Sequence, residues 1–384
     1  MSNPRIAVVG AGPVGLAFAC AARGCEIDLL EANPARSEPL ADATDVRIFA
    51  ISPGTRAFLR DIGAWELLDA SRVAPVRRME VFADAGARLA FSGPGGAPIA
   101  WILEAGRLAA ALEELAGSLG HVRVRRSARV LEATFGAPGC RLEIEAGEAL
   151  DAALVVGADG PESHVRSLAG IAAAETAFGE MALVANFDVE REHAATARQW
   201  FRADGVLAWL PLPGKRISIV WSAPEKHAAE LSALDAQALE ARVRDAGGAA
   251  LGDLTLTSPV RQFPLRAVHV PDPVAEGVAL IGDAAHAVHP LAGQGVNLGF
   301  QDARCLAELV SERSPLERPG DLRLLRRYAR GRREDVTAMQ FVTERLDQLF
   351  ASTAPGASLV RNAGMSLLQS QAWARSYLAR RAMR

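Results

Sequence analysis

Residues Arg5–Glu31 read RIAVVGAGPVGLAFACAARGCEIDLLE. Arg5 to Val9 is an apolar run of the kind that lies buried on both faces of a parallel sheet. Gly10-Ala11-Gly12-Pro13-Val14-Gly15 follows, Leu16 to Arg23 is alanine-rich and predicts a helix, and Glu26 to Leu30 predicts a second strand ending at Glu31. Strand, glycine turn, helix, strand and an acid about 20 residues on make up the whole context of the dinucleotide fingerprint. Gly10 permits the tight turn, Gly12 lets the backbone approach a pyrophosphate, and Gly15 allows close helix packing. Glu31 is suited to accept hydrogen bonds from ribose hydroxyls and favours an unphosphorylated ribose. A lone GxGxxG is weak evidence; five agreeing features point to an adenine dinucleotide.

A second stretch, Val278 to Leu309, reads VALIGDAAHAVHPLAGQGVNLGFQDARCLAEL. Val278 to Ile281 predicts a short buried strand, interrupted by Gly282-Asp283. Pro290 stiffens the approach to Gly293, Gly295 and Gly299, and from about Val296 the apolar spacing becomes helical. A strand, a glycine-rich loop and a helix start together present unpaired backbone N–H groups and a partial positive charge, a cradle for an anion. Taken alone, the stretch reads equally as a glycine-rich turn.

Working outward, 384 residues favour two domains, and 50% hydrophobic content supplies a sizeable core. A net charge of −3 with mixed signs, and 5% aromatic residues, argue against nucleic acid as a partner. Cys20, Cys25, Cys140 and Cys305 show no CxxC spacing and read as reduced core thiols. The N-terminus carries no signal-peptide pattern and no run is long enough to span a membrane, so a cytoplasmic location is expected. Asp45 to Ser52 leads into a predicted helix, Pro53 to Leu68. Met79 to Phe91 suggests a hairpin, and Glu104 to Leu119 a helix. Val122 to Thr134, Arg141 to Ile144 and Leu154 to Val156 read as strands, the last followed by Gly157-Ala158-Asp159-Gly160. Residues 181–190, 197–201, 206–211 and 216–221 predict antiparallel strands carrying Trp200, Trp209 and Trp221, a mixed sheet suited to wall an apolar pocket. A helix is expected over 233–247 and a strand over Val260 to Leu265. The last hundred residues or so are mostly helical by pattern. At the terminus, Arg375, Arg380, Arg381 and Arg384 surround Tyr377, Leu378 and Met383. That segment reads either as a contact for an anionic membrane or a partner, or as a solvated helix end. His286 and His289 near Asp283 suggest a metal weakly; Pro290 argues against it, no metal is expected, and His286 reads as a structural histidine.

Three motifs in order, GAGPVG with Glu31, Gly157-Ala158-Asp159-Gly160 with Ser163 and Arg166, and Gly282-Asp283 with Pro290 to Gly299, resemble the single-component flavin-dependent aromatic hydroxylases, the para-hydroxybenzoate hydroxylase superfamily. Within it the chain looks most like the ubiquinone-biosynthesis hydroxylases, supported by Asp45-x-Arg47, Gly63-x-Trp65, Phe263-Pro264-Leu265, and Tyr328, Arg330 and Arg333. The resemblance covers essentially the whole chain. It implies an α/β fold in which a Rossmann-like FAD-binding domain (1–72, 104–175 and 272–384, with a helical C-terminal region) is interleaved with a mixed-sheet substrate domain (73–103 and 176–271).

It further implies FAD as cofactor and NAD(P)H as a transient reductant. Gly10, Gly12 and Gly15 meet the pyrophosphate on this reading, and Glu31 the adenosine ribose. Arg47 lies near the ribityl and pyrophosphate portion, Val130 is a further cofactor contact, Asp159 serves FAD and the visiting nicotinamide, and Asp283 binds the ribityl hydroxyls. Pro290, Gly293, Gln294 and Gly295 form the catalytic loop, and with Val296 and Asn297 they present backbone to the flavin ring. The implied chemistry is dioxygen (O2) addition to reduced flavin, giving a C4a-hydroperoxide that hydroxylates a lipophilic phenol, with the helix start stabilising the reduced ring's charge. One departure stands out: the family's Glu-Asn-Arg is here Glu104-Ala105-Gly106-Arg107. The halogenase signature WxWxI is absent. The alternatives are a hydroxylase of another aromatic or a catalytically weak flavin-bound subunit of a quinone-biosynthesis complex; on any of these readings a peripheral position at the inner face of the membrane, or association with a biosynthetic complex, stays open. A nicotinamide-dependent dehydrogenase leaves the Gly282–Asp302 motif without a use.

Overall fold

The structure is a computed structural model that describes residues 3–34, 44–83, 88–145, 147–288 and 295–351, the side chains of 342–351 excepted. The apolar run Arg5–Val9 is a central strand of a six-stranded sheet ordered Val274–Ala275, Val278–Leu280, Leu154–Gly157, Arg5–Val9, Glu26–Leu30, Val122–Arg125. All pairs are parallel except the first. Ile6, Ala7 and Val8 are fully buried, as expected of a strand covered on both faces.

The helices are α1 (Pro13–Ala21), α2 (Pro53–Asp61), α3 (Ala105–Ser118), α4 (His164–Leu168), α5 (Glu225–Ser232), α6 (Ala236–Ala246), α7 (Gly295–Ser311) and α8 (Leu322–Ala351). α1, α3, α7 and α8 share one apolar cluster with the parallel sheet, in which Leu16, Phe18, Leu108, Leu112, Phe300, Leu306 and Leu325 are buried. Cys20, Cys25 and Cys140 are buried free thiols, and burial pushes Cys20 up to about 12.

The second large layer is a nine-stranded mixed sheet. Its main path runs His286–Ala287, Arg261–His269, Ala174–Val189, Arg216–Pro224, Gly205–Leu212, Thr196–Arg202, Arg78–Phe82, Arg88–Ser92. The four antiparallel strands expected between 181 and 221 are its centre, and the expected hairpin over 79–91 is the antiparallel pair Arg78–Phe82 with Arg88–Ser92. Two three-stranded sheets complete the strands: Ile48–Ile51, Ala100–Glu104, Ala74–Val76, and Glu148–Ala152, Cys140–Ile144, Val130–Thr134.

Three local expectations change. The helix expected over Pro53–Leu68 ends at Asp61, because Gly63 takes a left-handed φ of +88°. Val122–Thr134 divides at Ser127 (φ +53°) into strands of two different sheets. The helix near 233–247 begins at Ala236, where Asp235 caps the Ala238 N–H, and the separate α5 precedes it. The arginine-rich terminus lies outside the described residues.

Candidate active site

The three sequence motifs meet. Gly10 has φ +106°, and a Cβ there would overlap the carbonyl oxygen of Ala158 in the second motif. A Cβ on Gly15 would overlap Gly10's own carbonyl, so α1 packs directly on the turn before it. Val14 fills the space between the first and third motifs. A Cβ on Gly282 would lie 3.3 Å from its Cγ1, and one on Gly299 would lie 2.7 Å from its Cγ2 and 3.2 Å from the Gly282 Cα. Gly12 differs from all of these, because nothing lies within 4 Å of the position its Cβ would take. Gly12 is also the N-cap of α1, with no side-chain cap, so the free N–H groups of the first turn open onto that clear space. Such an arrangement accepts a phosphate.

The charged residues singled out from the sequence line this junction. Glu31 accepts from the Ala11 N–H at 2.9 Å and from Asn33 N and Nδ2 at 3.0 and 2.9 Å. Burial raises its pKa, but these bonds outweigh that and leave it below the ordinary value. Its carboxylate therefore stays ionised beside the glycine turn, with lone pairs left for hydroxyl donors. Asp159 holds the second motif together, accepting from Ser163 Oγ at 2.5 Å and from the Val165 N–H at 3.0 Å. Arg166 is buried and ties the second motif to the third: Nη1 donates to the Ala284 carbonyl at 3.0 Å, and Nη2 to Pro161 O and Glu175.

Asp283 keeps solvent contact although protein surrounds it densely, as on the floor of a crevice. Burial, with the nearby charge of Asp302, pushes its carboxyl up and prevails over the opposing pull of His286 and Arg47. The Arg47 guanidinium lies 5.7 Å from the Phe49 ring centroid. Val130 turns its side chain into the apolar cluster with Leu142 and Ile144, so only its backbone faces away from that core. Asn297 is buried, and its side chain is structural: Nδ2 donates to Ala50 O at 2.8 Å and Oδ1 accepts from Ser52 N at 2.9 Å. Those bonds fix the first turn of α7, with Gly295 and Val296, against the strand Ile48–Ile51. Pro290, Gly293 and Gln294 lie outside the described residues.

The altered segment after residue 104 is internally satisfied. Glu104 is buried and accepts from Arg72 Nε at 2.8 Å, from Arg107 Nε at 3.0 Å and from the Asp45 N–H at 2.7 Å. The displaced arginine is thus paired one turn into α3.

Sequence reading missed the residues that support this junction from below. Asp302 is fully buried on α7. It accepts from the Gly282 N–H at 2.9 Å, from His286 Nε2 at 2.6 Å and from Arg332 Nε of α8 at 2.7 Å. His286 is hydrogen-bonded and buried, as expected, whereas the sequence reading assigned no role to Asp302 or Arg332. The available signal was Asp302 on the apolar stripe of α7, one turn from Leu298 and Leu306.

The large sheet offers a second surface. Leu183, Phe187, Leu207, Trp209, Ile219 and Trp221 face α5 and α6. The tryptophans therefore belong to the helix-covered face. The alternating residues Val184, Val206, Ala208, Leu210 and Val220 point the other way and are mostly half-buried. That face reaches the flavin-side segment through Asn186, whose Nδ2 donates to the Asp45 carbonyl at 3.3 Å.

A family model described as "FAD binding domain" matches residues 4–342. The chain belongs to this FAD-binding family. As a flavoprotein it resembles the 3-demethoxyubiquinol 3-hydroxylase of Escherichia coli K12, with 33% identity covering 94% of this chain and 93% of the relative. It is 31% identical to the ubiquinone hydroxylase UbiL of Rhodospirillum rubrum, over 98% of this chain and 89% of that one. The fold matches that of Pseudomonas aeruginosa PqsL in complex with 2-aminobenzoylacetate, with a TM-score of 0.78, 23% identity, and coverage of 94% and 99%. The flavoprotein is an FAD-dependent monooxygenase. The clear space at Gly12, the open first turn of α1, the ionised Glu31 and the crevice at Asp283 fit that cofactor. Among the described residues no group of three or more His, Cys, Asp or Glu is placed to hold a metal ion, and no helix is long and apolar enough to cross a membrane.

Proposed function

We propose that the flavoprotein hydroxylates the ring of a polyprenylated phenol in ubiquinone biosynthesis, with NAD(P)H as a visiting reductant and O2 as co-substrate. Full-length similarity to two ubiquinone hydroxylases carries this reading. The side of the large sheet where Val184, Val206, Ala208 and Val220 alternate with Ser218 and Ser222 supports it.

When bound, FAD supplies the oxygen-activating chemistry. The chain supplies placement. Gly10, Gly12 and Gly15 set α1 against the pyrophosphate, and Glu31 takes the ribose hydroxyls. Asp283 and Arg47 flank the ribityl chain. The backbone at Gly295, Val296 and Asn297 would face the ring. The positive end of α7 stabilises negative charge on that ring, an effect worth a few kcal/mol when donors are preorganised. Val184, Val206, Ala208 and Val220 hold the phenol and keep water out, limiting wasteful release of hydrogen peroxide.

The segments 1–72, 104–175 and 272–384 form the cofactor side in this reading, and 73–103 with 176–271 the substrate side. Sheet membership supports the division with two exceptions: Ala74–Val76 pairs with Ala100–Glu104, which in turn pairs with Ile48–Ile51, and His286–Ala287 of the cofactor side pairs with Arg261–His269 of the large sheet. Peripheral association with the inner face of a membrane, or with a biosynthetic complex, belongs to the same proposal because the substrate is lipophilic.

The test is NAD(P)H oxidation by the flavin-loaded protein with and without a prenylated phenol, with product identified by mass spectrometry. A stimulated rate and a product heavier by one oxygen are expected. Oxidation that yields only hydrogen peroxide with every phenol tried sinks the assignment.

A further inference from the structure

The cluster beneath the third motif holds more charge than packing requires. One carboxylate, Asp302, lies between an imidazole and a guanidinium, with His286 Nε2 at 2.6 Å and Arg332 Nε at 2.7 Å. His286 and Asp302 are 5% and 0% exposed. His286 Nδ1 is buried and has no hydrogen-bond partner among the described residues. The other charged or titratable groups around the imidazole are Asp283 on its own loop, Tyr328 on α8, His269 opposite it in the strand pair, and Asp335, which pairs with the far end of Arg332. Tyr328 donates its hydroxyl proton to the Leu280 carbonyl and stays neutral, its pKa raised by burial. Burial works against protonation of His286, but the charge and hydrogen bond of Asp302 outweigh it and the net shift is upward.

The same carboxylate that holds the imidazole accepts the Gly282 N–H at 2.9 Å, and Arg332 Nη2 donates to the Leu298 carbonyl in the first turn of α7. The positive charge is thereby fixed beneath both elements that face the flavin. Reduction of FAD by a hydride donor such as NAD(P)H adds two electrons and one proton and leaves one negative charge on the ring. A fixed cation in a low-dielectric setting favours that product over the neutral oxidised ring. We propose that His286 is a positioning residue that acts through Asp302 and the Gly282–Asp283 loop, its charge raising the reduction potential of bound FAD. The inference rests on the flavin alone, so it stands or falls separately from the choice of phenol.

The test is the midpoint potential of the flavin-loaded protein and of His286→Gln, whose amide still donates to Asp302 but carries no charge. Reduced FAD should lose at least about tenfold in affinity relative to oxidised FAD, a fall of about 30 mV for a two-electron couple. Binding of oxidised FAD should stay within about threefold. Asp302→Asn, which cannot hold all three donors, should instead weaken both oxidation states together. An unchanged potential in His286→Gln, or a parallel loss of both affinities, overturns the proposal. If His286→Gln does not fold, the wild-type protein still decides. The bound FAD potential should fall relative to that of free FAD as pH rises above neutrality, and a constant difference rejects the idea.

Discussion

Gly12→Ala should separate cofactor binding from folding. Gly12 has φ −72° and ψ 170°, a conformation that alanine adopts without strain. Nothing lies within 4 Å of the added methyl. The apo protein should therefore keep its stability, or gain the roughly 0.4–1 kcal/mol that a compatible Gly-to-Ala change brings by restricting the unfolded chain. The methyl instead meets the pyrophosphate that the bare backbone admits. Losing one charge-assisted hydrogen bond costs about 1.5–3 kcal/mol, which is roughly a 10- to 150-fold weaker FAD complex. At free FAD of about 100 times the wild-type Kd, ligand stabilisation is about 2.7 kcal/mol; a hundredfold weaker variant keeps only about 0.4 kcal/mol. Thermal unfolding with and without added FAD, alongside a flavin-fluorescence titration, measures both quantities. An apo variant destabilised by more than about 1 kcal/mol, or one that binds FAD like the wild type, would refute the reasoning.

Gly10→Ala should behave oppositely: its left-handed φ and the overlap with Ala158 O cost about 2–6 kcal/mol, visible as a lower urea midpoint without any cofactor. Asn297→Ala removes the partners of Ser52 N and Ala50 O, and should cost about 2–4 kcal/mol by urea unfolding. The His286–Asp302 pair gives a pH signature. Asp302's lowered pKa contributes stability above its unfolded value and loses it as pH falls through the folded one. His286's raised pKa contributes below about 6.5, its unfolded value, and fades as pH climbs past the folded one. Apo stability from this pair should thus be greater near pH 6 than near pH 9, and His286→Gln should flatten that difference in urea unfolding. Ala208→Phe, filling the apolar face of the large sheet, should raise KM for a prenylated phenol while leaving the flavin spectrum unchanged.

The nucleotide-binding half was legible because its signals are local. RIAVV, the glycine turn and EIDLL each state their own conformation, and the spacing to Glu31 is fixed by one strand–helix–strand unit. The four central strands of the large sheet were legible for the same reason, through alternation and turns. Helix ends were less so. Ser52 caps α2 as its position suggests, but the stop at Asp61 depends on Gly63, which a continuing apolar pattern masks.

Residue types and motif order by themselves determined that the chain is an α/β flavoprotein with a Rossmann-like start. What only the tertiary structure decided is which charges are buried. His286 and Arg332 are 16 and 30 residues from Asp302 along the chain, and no local pattern pairs them with it. The same holds for the clearance at Gly12 against the crowding at Gly10 and Gly299, and for the choice of sheet face on which the tryptophans pack. Burial and clearance are properties of what packs from elsewhere, so one-dimensional spacing carries the backbone's conformation but not its neighbours.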